Sequence, residues 1–271
     1  MIENTYGTKK RLDFVVNCMN EYNPKRVLDM GCGTGANLTE PLAERFPSVQ
    51  FIGIDSDKTS IEFAQRGKRH KNANYALLDE MDTLGRFDLV IASEVIEHVE
   101  DPDAFLAFLK NRLTGEGKIV ITLPNGYGPF EIASLLEALM QLSGLYPRLQ
   151  KIKRLLKGIS VAQQTADTLA ISPHINFFSY PQITETISNC GLHILKYRPR
   201  TLLCGFGFDQ IIKSDRLIAW NARIADALPP AFSSDWMFVL EAAKSRNPAS
   251  YRRNGYARFR RYLNEKRWNL R

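Results

Sequence analysis

Short, continuous apolar runs alternate with helix-compatible stretches through the first 125 residues. Val27-Leu28-Asp29-Met30 is the first run, and it ends in a glycine cluster followed by a predicted helix over 37–46. Further strands are expected at 51–54, 74–78, 87–92 and 118–123, with helices over 58–68 and 101–113. Asp101-Pro102 starts the second of these helices well, because proline is at home in the first turn. Strands that are apolar throughout belong to a sheet covered on both faces, and their alternation with helices makes that sheet parallel.

After Gly126 the rhythm breaks. Helical patterning runs over 129–157, with Leu135, Leu136, Leu139 and Met140 on one face and Leu149, Ile152 and Leu156 on another. The αβ rhythm resumes with a helix near 182–190 and a strand near 192–197. A second helical insertion over 209–228 ends at Pro229-Pro230, and a last strand is expected over 236–241. The expected organisation is one α/β domain over 1–244, with insertions at about 127–170 and 201–233, followed by a basic tail over 245–271. There is no internal repeat.

Composition narrows the class. A chain of 271 residues, 44% hydrophobic and 24% charged, suits one large domain with a core that needs no staples. No apolar run approaches the roughly 18 residues of a membrane span, and no leader is expected at the start. Cys18, Cys32, Cys190 and Cys204 are widely spaced, which argues against a zinc site or a disulfide framework and for a reducing cytoplasm. The net charge of +7 suggests a polyanionic partner until it is located. Nine Lys/Arg and one acid, Glu265, lie in 245–271, while the rest of the chain carries 27 bases and 28 acids. The excess therefore belongs to the tail. Its Tyr, Phe and Trp interleave with arginines, a pattern that suits either a docked basic helix or nucleic-acid binding, and the docked helix is the simpler reading. The basic side of 148–157 leaves peripheral contact with a membrane surface open as well.

The glycine cluster carries the first chemistry. In Asp29-Met30-Gly31-Cys32-Gly33-Thr34-Gly35 the glycines allow a tight turn and a close approach of backbone to ligand. A nicotinamide fingerprint would want a sixth-position glycine where Ala36 stands. Asp29, two residues before the first glycine, would repel a pyrophosphate and would suit the ammonium of an amino-acid-bearing cofactor. On these residues the chain resembles the class I S-adenosylmethionine-dependent methyltransferases. Ile52-Gly53-Ile54-Asp55-Ser56 is similar to that family's second-strand motif, whose acid binds the ribose hydroxyls. Leu78-Asp79-Glu80-Met81 falls where the family sets a carboxylate against the adenine amino group, and Phe87-Asp88-Leu89-Val90 resembles its fourth strand. The resemblance implies a Rossmann-like, seven-stranded, mostly parallel sheet with a helical cap. It also implies S-adenosyl-L-methionine as cofactor, held by Asp29, Gly31, Cys32, Gly33, Gly35, Asp55, Ser56, Asp79, Glu80 and Ser93.

Ser93-Glu94-Val95-Ile96-Glu97-His98-Val99 follows the fourth strand, on the side where open α/β sheets bind ligands. If it turns helical, Glu94, Glu97 and His98 share one face. The phrase resembles the ubiquinone-biosynthesis O-methyltransferases, some of which hold magnesium with it. It is also similar to small-RNA 3′-terminal 2′-O-methyltransferases. Glu94, Glu97 and His98 are thus expected to hold Mg²⁺ or Mn²⁺, to leave His98 as a metal-free general base or substrate contact, or to serve the structure alone. His174, in Pro173-His174-Ile175-Asn176-Phe177-Phe178-Ser179, is the other candidate base or ligand. Catalytic roles are therefore expected at His98, His174 and Glu94. The expected function is methyl transfer by in-line displacement to oxygen of a small or lipid-linked acceptor. The alternatives are metal-dependent methylation of RNA and a non-catalytic cofactor-binding scaffold.

Overall fold

A computed structural model describes residues 3–145, 172–205, 208–243 and 250–268. The apolar runs form the strands of one sheet. These are β1 (Arg26–Met30), β2 (Gln50–Asp55), β3 (Ala73–Leu77), β4 (Phe87–Ser93), β5 (Leu113–Pro124), β6 (Leu192–Pro199) and β7 (Asp235–Ala242). Their order is β3-β2-β1-β4-β5-β7-β6. Only β7 runs against its neighbours, so the sheet is seven-stranded and mostly parallel. Alternate residues of each strand feed two separate cores. Val27, Leu89, Ile91 and Val120 point into one, and Leu28, Val90, Ala92 and Ile121 into the other. Both faces are covered, which is why the central strands show no polar alternation.

Helices α2 (Thr39–Arg45), α3 (Lys58–Gly67) and α4 (Pro102–Asn111) connect the parallel strands. Asp101 caps α4 by accepting from the Ala104 N–H at 3.0 Å, with Pro102 in the first turn as expected. The helix expected over 37–46 begins only at Thr39, because the preceding residues form the ligand loop. One helix was not anticipated. In α1 (Thr8–Tyr22), Leu12, Val15 and Met19 recur at helical spacing and pack on the sheet.

The described part of the first insertion holds helix α5 (Pro129–Leu142), and the second insertion contains the helix Asp215–Ile224. The apolar face of Leu149, Ile152 and Leu156, and the basic side of 148–157, lie outside the described residues. The helix Gly255–Arg267 packs on α5. Two of its arginines are tied to the domain. Arg260 is fully buried against Glu131, and Arg261 pairs with Glu100 and Glu265. This much of the basic tail is a docked helix. All four cysteines are unpaired, and among the described residues no helix is long and apolar enough to cross a membrane.

Candidate active site

The carboxyl ends of β1, β2 and β4 open into a cavity of about 740 Å³. Its floor is the glycine turn. Gly31 has φ +76°, and a Cβ there would sit 2.4 Å from Val95 Cγ2, so no side chain fits. The Gly31 and Cys32 N–H groups both donate to the Ile54 carbonyl, at 2.7 and 3.0 Å, which ties the turn to the end of β2. Gly33 N–H donates to Asp55 Oδ2 and Asp57 N–H to Asp55 Oδ1, both at 2.8 Å. Asp55 is thereby aimed across the cavity mouth while each oxygen keeps a further lone pair. Asp29, buried at the end of β1, accepts from Thr39 Oγ1 at 2.6 Å.

Asp29, Gly31, Cys32, Gly33, Asp55, Ser56, Asp79 and Ser93 all line this cavity. Gly35 and Glu80 are not among its lining. Gly35 serves the turn from behind, where a Cβ would strike the Tyr75 hydroxyl, and Glu80 is exposed on the 3₁₀ turn Leu78–Thr83. The wall is strongly acidic. Six carboxylates face the cavity (Asp29, Asp55, Asp57, Asp79, Asp82 and Glu94), and Arg11 of α1 is the one guanidinium among its lining residues. Such a field favours a cationic ligand and opposes a pyrophosphate.

The segment that follows β4 differs from expectation. Residues 94–98 form a turn, with Glu94 at φ +59°, in place of a helix. The turn is held from outside. Glu97 O accepts from the Ile175 and Asn176 N–H groups, and Asn176 Nδ2 donates to Ile96 O and Val99 O. Glu94, Glu97 and His98 therefore do not share one helical face. Glu94 instead accepts from Thr122 Oγ1 at 2.7 Å and pairs with Arg200 at 3.2 Å. Burial opposes its ionisation, but Arg200 and Arg11 hold its carboxyl below the ordinary carboxylate value. Arg200 in turn meets Asp235 at 2.6 Å.

The group that does assemble is Glu97, His98 and His174, whose ligand atoms all lie within 4.8 Å of one another. The two imidazoles meet edge-on with centroids 4.9 Å apart. His98 lines the cavity, and its Nδ1 lies 3.1 Å from the Pro173 carbonyl. A carbonyl only accepts, so Nδ1 carries the proton and Nε2 keeps its lone pair. Burial, reinforced by His174, pushes His98 down to about 4. Burial also opposes charge on His174, but Glu131 at 2.6 Å outweighs it and pushes this histidine up to about 9. Glu97 is fully buried, neither of its oxygens has a hydrogen-bond partner, and burial together with Glu94 pushes it up to about 8. Two imidazoles and one buried, unsatisfied carboxylate fit a Mn²⁺-like ion better than Mg²⁺, which prefers oxygen donors.

Residues 10–197 match the family model described as a methyltransferase domain. The chain belongs to this family. Among its relatives, the ubiquinone biosynthesis O-methyltransferase of Rhodopseudomonas palustris strain TIE-1 is 39% identical over 113 residues, 40% of this chain and 44% of that protein. The mitochondrial ubiquinone biosynthesis O-methyltransferase of Bos taurus is 30% identical over 192 residues, 63% of this chain and 50% of that protein. The chain thus spans about half the length of the curated relatives it matches. PKMT2 from Rickettsia typhi, solved in complex with AdoHcy, has a TM-score of 0.53 at 19% identity, covering 85% of this chain and 51% of that one. An S-adenosylmethionine-dependent methyltransferase from Clostridium acetobutylicum has a TM-score of 0.51 at 15% identity, covering 88% and 92%. The fold of this methyltransferase-domain protein is therefore that of the S-adenosylmethionine-dependent methyltransferases.

Four residues in and beside the cavity had not been anticipated: Arg11, Glu131, Arg200 and Asp235. Arg11 lies in the helix that the sequence reading passed over. The other three act through partners at least 35 residues away, for which no spacing gives a signal.

Proposed function

We propose that the protein binds S-adenosylmethionine in this cavity and transfers its methyl group to oxygen of a small or lipid-linked acceptor. The observation that carries the reading is the acidic wall on the glycine turn, which suits a ligand bearing both a sulfonium and an ammonium. Asp29 faces the ammonium, Arg11 the carboxylate, Asp55 the ribose hydroxyls and Asp79 the adenine amino group. The acceptor approaches from the His98 side. Its oxygen attacks the methyl carbon in line, the carbon–sulfur bond breaks with the electron pair going to sulfur, and His98 Nε2 takes the hydroxyl proton. Burial keeps this histidine neutral at physiological pH, so Nε2 has a lone pair to accept the proton.

The names of the ubiquinone-biosynthesis relatives support an aromatic hydroxyl on a prenylated molecule. The exposed Ile132, Leu136 and Leu139 of α5 support the same class, as they offer an apolar face on the helix whose Phe130 neighbours His174. That face would also suit contact with a membrane surface.

The buried, unsatisfied Glu97 favours a second reading, in which Glu97, His98 and His174 hold a divalent cation. Such an ion would lower the pKa of an acceptor hydroxyl.

The test is transfer of labelled methyl from S-adenosylmethionine to a prenylated dihydroxybenzoate, with and without chelator. A methyl ether formed in chelator, and lost by at least about a hundredfold in His98→Ala with S-adenosylhomocysteine still bound, supports the general base. Full turnover by His98→Ala contradicts it. Loss in chelator with recovery on Mn²⁺ favours the cation.

A further inference from the structure

The tail that sequence composition set apart from the domain reaches the acceptor side. Arg260, in the helix Gly255–Arg267, is fully buried. Its Nη2 donates to Glu131 Oε2 at 2.7 Å and its Nη1 to the Glu131 carbonyl at 2.6 Å. The Phe177 ring lies beneath the guanidinium at 4.6 Å, and the Tyr256 hydroxyl accepts from Nη1 at 3.1 Å. Arg260 can thus hold one orientation only. Glu131 stands in the first turn of α5, where the helix dipole also favours its negative charge. Its other oxygen, Oε1, meets His174 Nδ1 at 2.6 Å. The same C-terminal helix also holds His174 directly, since Asn264 Nδ2 donates to the His174 carbonyl at 2.9 Å, while Arg260 acts on it through Glu131.

A buried ion pair in which one partner is bidentate sets geometry more than it adds stability. We propose that Arg260 and Glu131 are positioning residues for the acceptor site, which orient the His174 ring so that Nδ1 is the donor to Glu131 and Nε2 is left toward His98 and Glu97. The helix Gly255–Arg267 is on this account part of the catalytic assembly. The proposal rests on the reading of His174 as an acceptor-side group.

The consequences can be read without knowing the natural acceptor. A carboxylate already held by Arg260 can only accept, so the His174 Nδ1 proton should be trapped between ring and carboxylate. In a long-range nitrogen–proton correlation spectrum of the full chain, the His174 Nδ1 proton is expected to be protected from solvent exchange. Arg260→Met, close in volume and neutral, should lose that protection. It should also lower kcat for methyl transfer to a prenylated dihydroxybenzoate by about a hundredfold, as expected for a misplaced catalytic group. The KM for S-adenosylmethionine and the affinity for S-adenosylhomocysteine should stay within about twofold, because Arg260 does not touch the cofactor cavity. Arg260→Lys, which keeps the charge but not the fork, should recover part of both signals.

Unchanged kcat in an Arg260→Met chain that binds S-adenosylhomocysteine would overturn the proposal. A wild-type spectrum with no exchange-protected proton on Nδ1 would overturn it whatever the variants do. A wild-type chain inactive on this acceptor contradicts the acceptor class proposed above, and the spectra then decide the positioning role alone.

Discussion

Glu94 Oε2 lies 3.2 Å from Arg200 Nη2, and this contact takes Glu94 out of the group formed by Glu97, His98 and His174. Arg200 reaches on to Asp235 Oδ1 at 2.6 Å, so one buried guanidinium serves two carboxylates from the ends of β4 and β7. Burial pushes Asp235 up to about 6 against the pull of Arg200. The two carboxylates therefore share a charge network centred on Arg200, with Arg11 of α1 acting on both as a second cation.

Arg200→Met should leave Glu94 and Asp235 buried without the central cation. The expected cost is about 3–5 kcal/mol of unfolding free energy, the range for breaking one side of a buried ion pair. Urea unfolding at neutral pH measures it. A midpoint equal to that of the unsubstituted chain would show that the network contributes nothing to stability.

Gly31→Ala should harm both fold and cofactor binding. The residue sits at φ +76°, and its new methyl would meet Val95 Cγ2 at 2.4 Å. Backbone strain alone costs about 1–3 kcal/mol, and relief by shifting the turn would move the N–H groups beside Asp55. Calorimetric affinity for S-adenosylhomocysteine is expected to fall at least about tenfold, equivalent to about 1.4 kcal/mol.

Asp88 gives a pH-dependent test away from the cavity. Its Oδ2 accepts from the Lys25 and Arg26 N–H groups at 2.9 and 3.0 Å, joining β4 to the start of β1. Partial burial pushes its carboxyl up, and these donors outweigh it, so the folded value lies below the ordinary 3.8. A carboxylate lowered in the folded state contributes stability above its unfolded value, and the contribution is lost as pH falls through the folded one. Asp88→Asn should therefore cost about 1 kcal/mol at neutral pH, discounted for solvent exposure. The difference between the two chains should shrink as pH drops below the ordinary value. A deficit that stayed constant into acid would rule out this electrostatic origin.

The parts of the molecule that could be read from sequence are those whose physics is local. Buried parallel strands advertise themselves as unbroken apolar runs, as in Phe87 to Ala92, and the glycine turn is confined to one strand–helix junction. The register of Asp55 against Gly33 follows from that junction. The acceptor side is different in kind. The turn at 94–98 is held by Ile175 and Asn176, which are remote in sequence and bond the Ile96 and Glu97 carbonyls. The orientation of His174 depends on Glu131, in the first turn of α5, and on Arg260, in the middle of the C-terminal helix. The overlooked α1 did carry a signal in Leu12, Val15 and Met19, and with it Arg11 would have been placed at the cavity.

The central claim, that the acidic cavity on the glycine turn is an S-adenosylmethionine site, is tested most directly by titration calorimetry with S-adenosylhomocysteine and, separately, with a nicotinamide dinucleotide. The account predicts saturable one-to-one binding of S-adenosylhomocysteine, weakened at least about tenfold by Asp55→Ala (about 1.4 kcal/mol), and no binding of the dinucleotide. Absence of binding by S-adenosylhomocysteine to the folded chain, or displacement of it by the dinucleotide, would contradict the account.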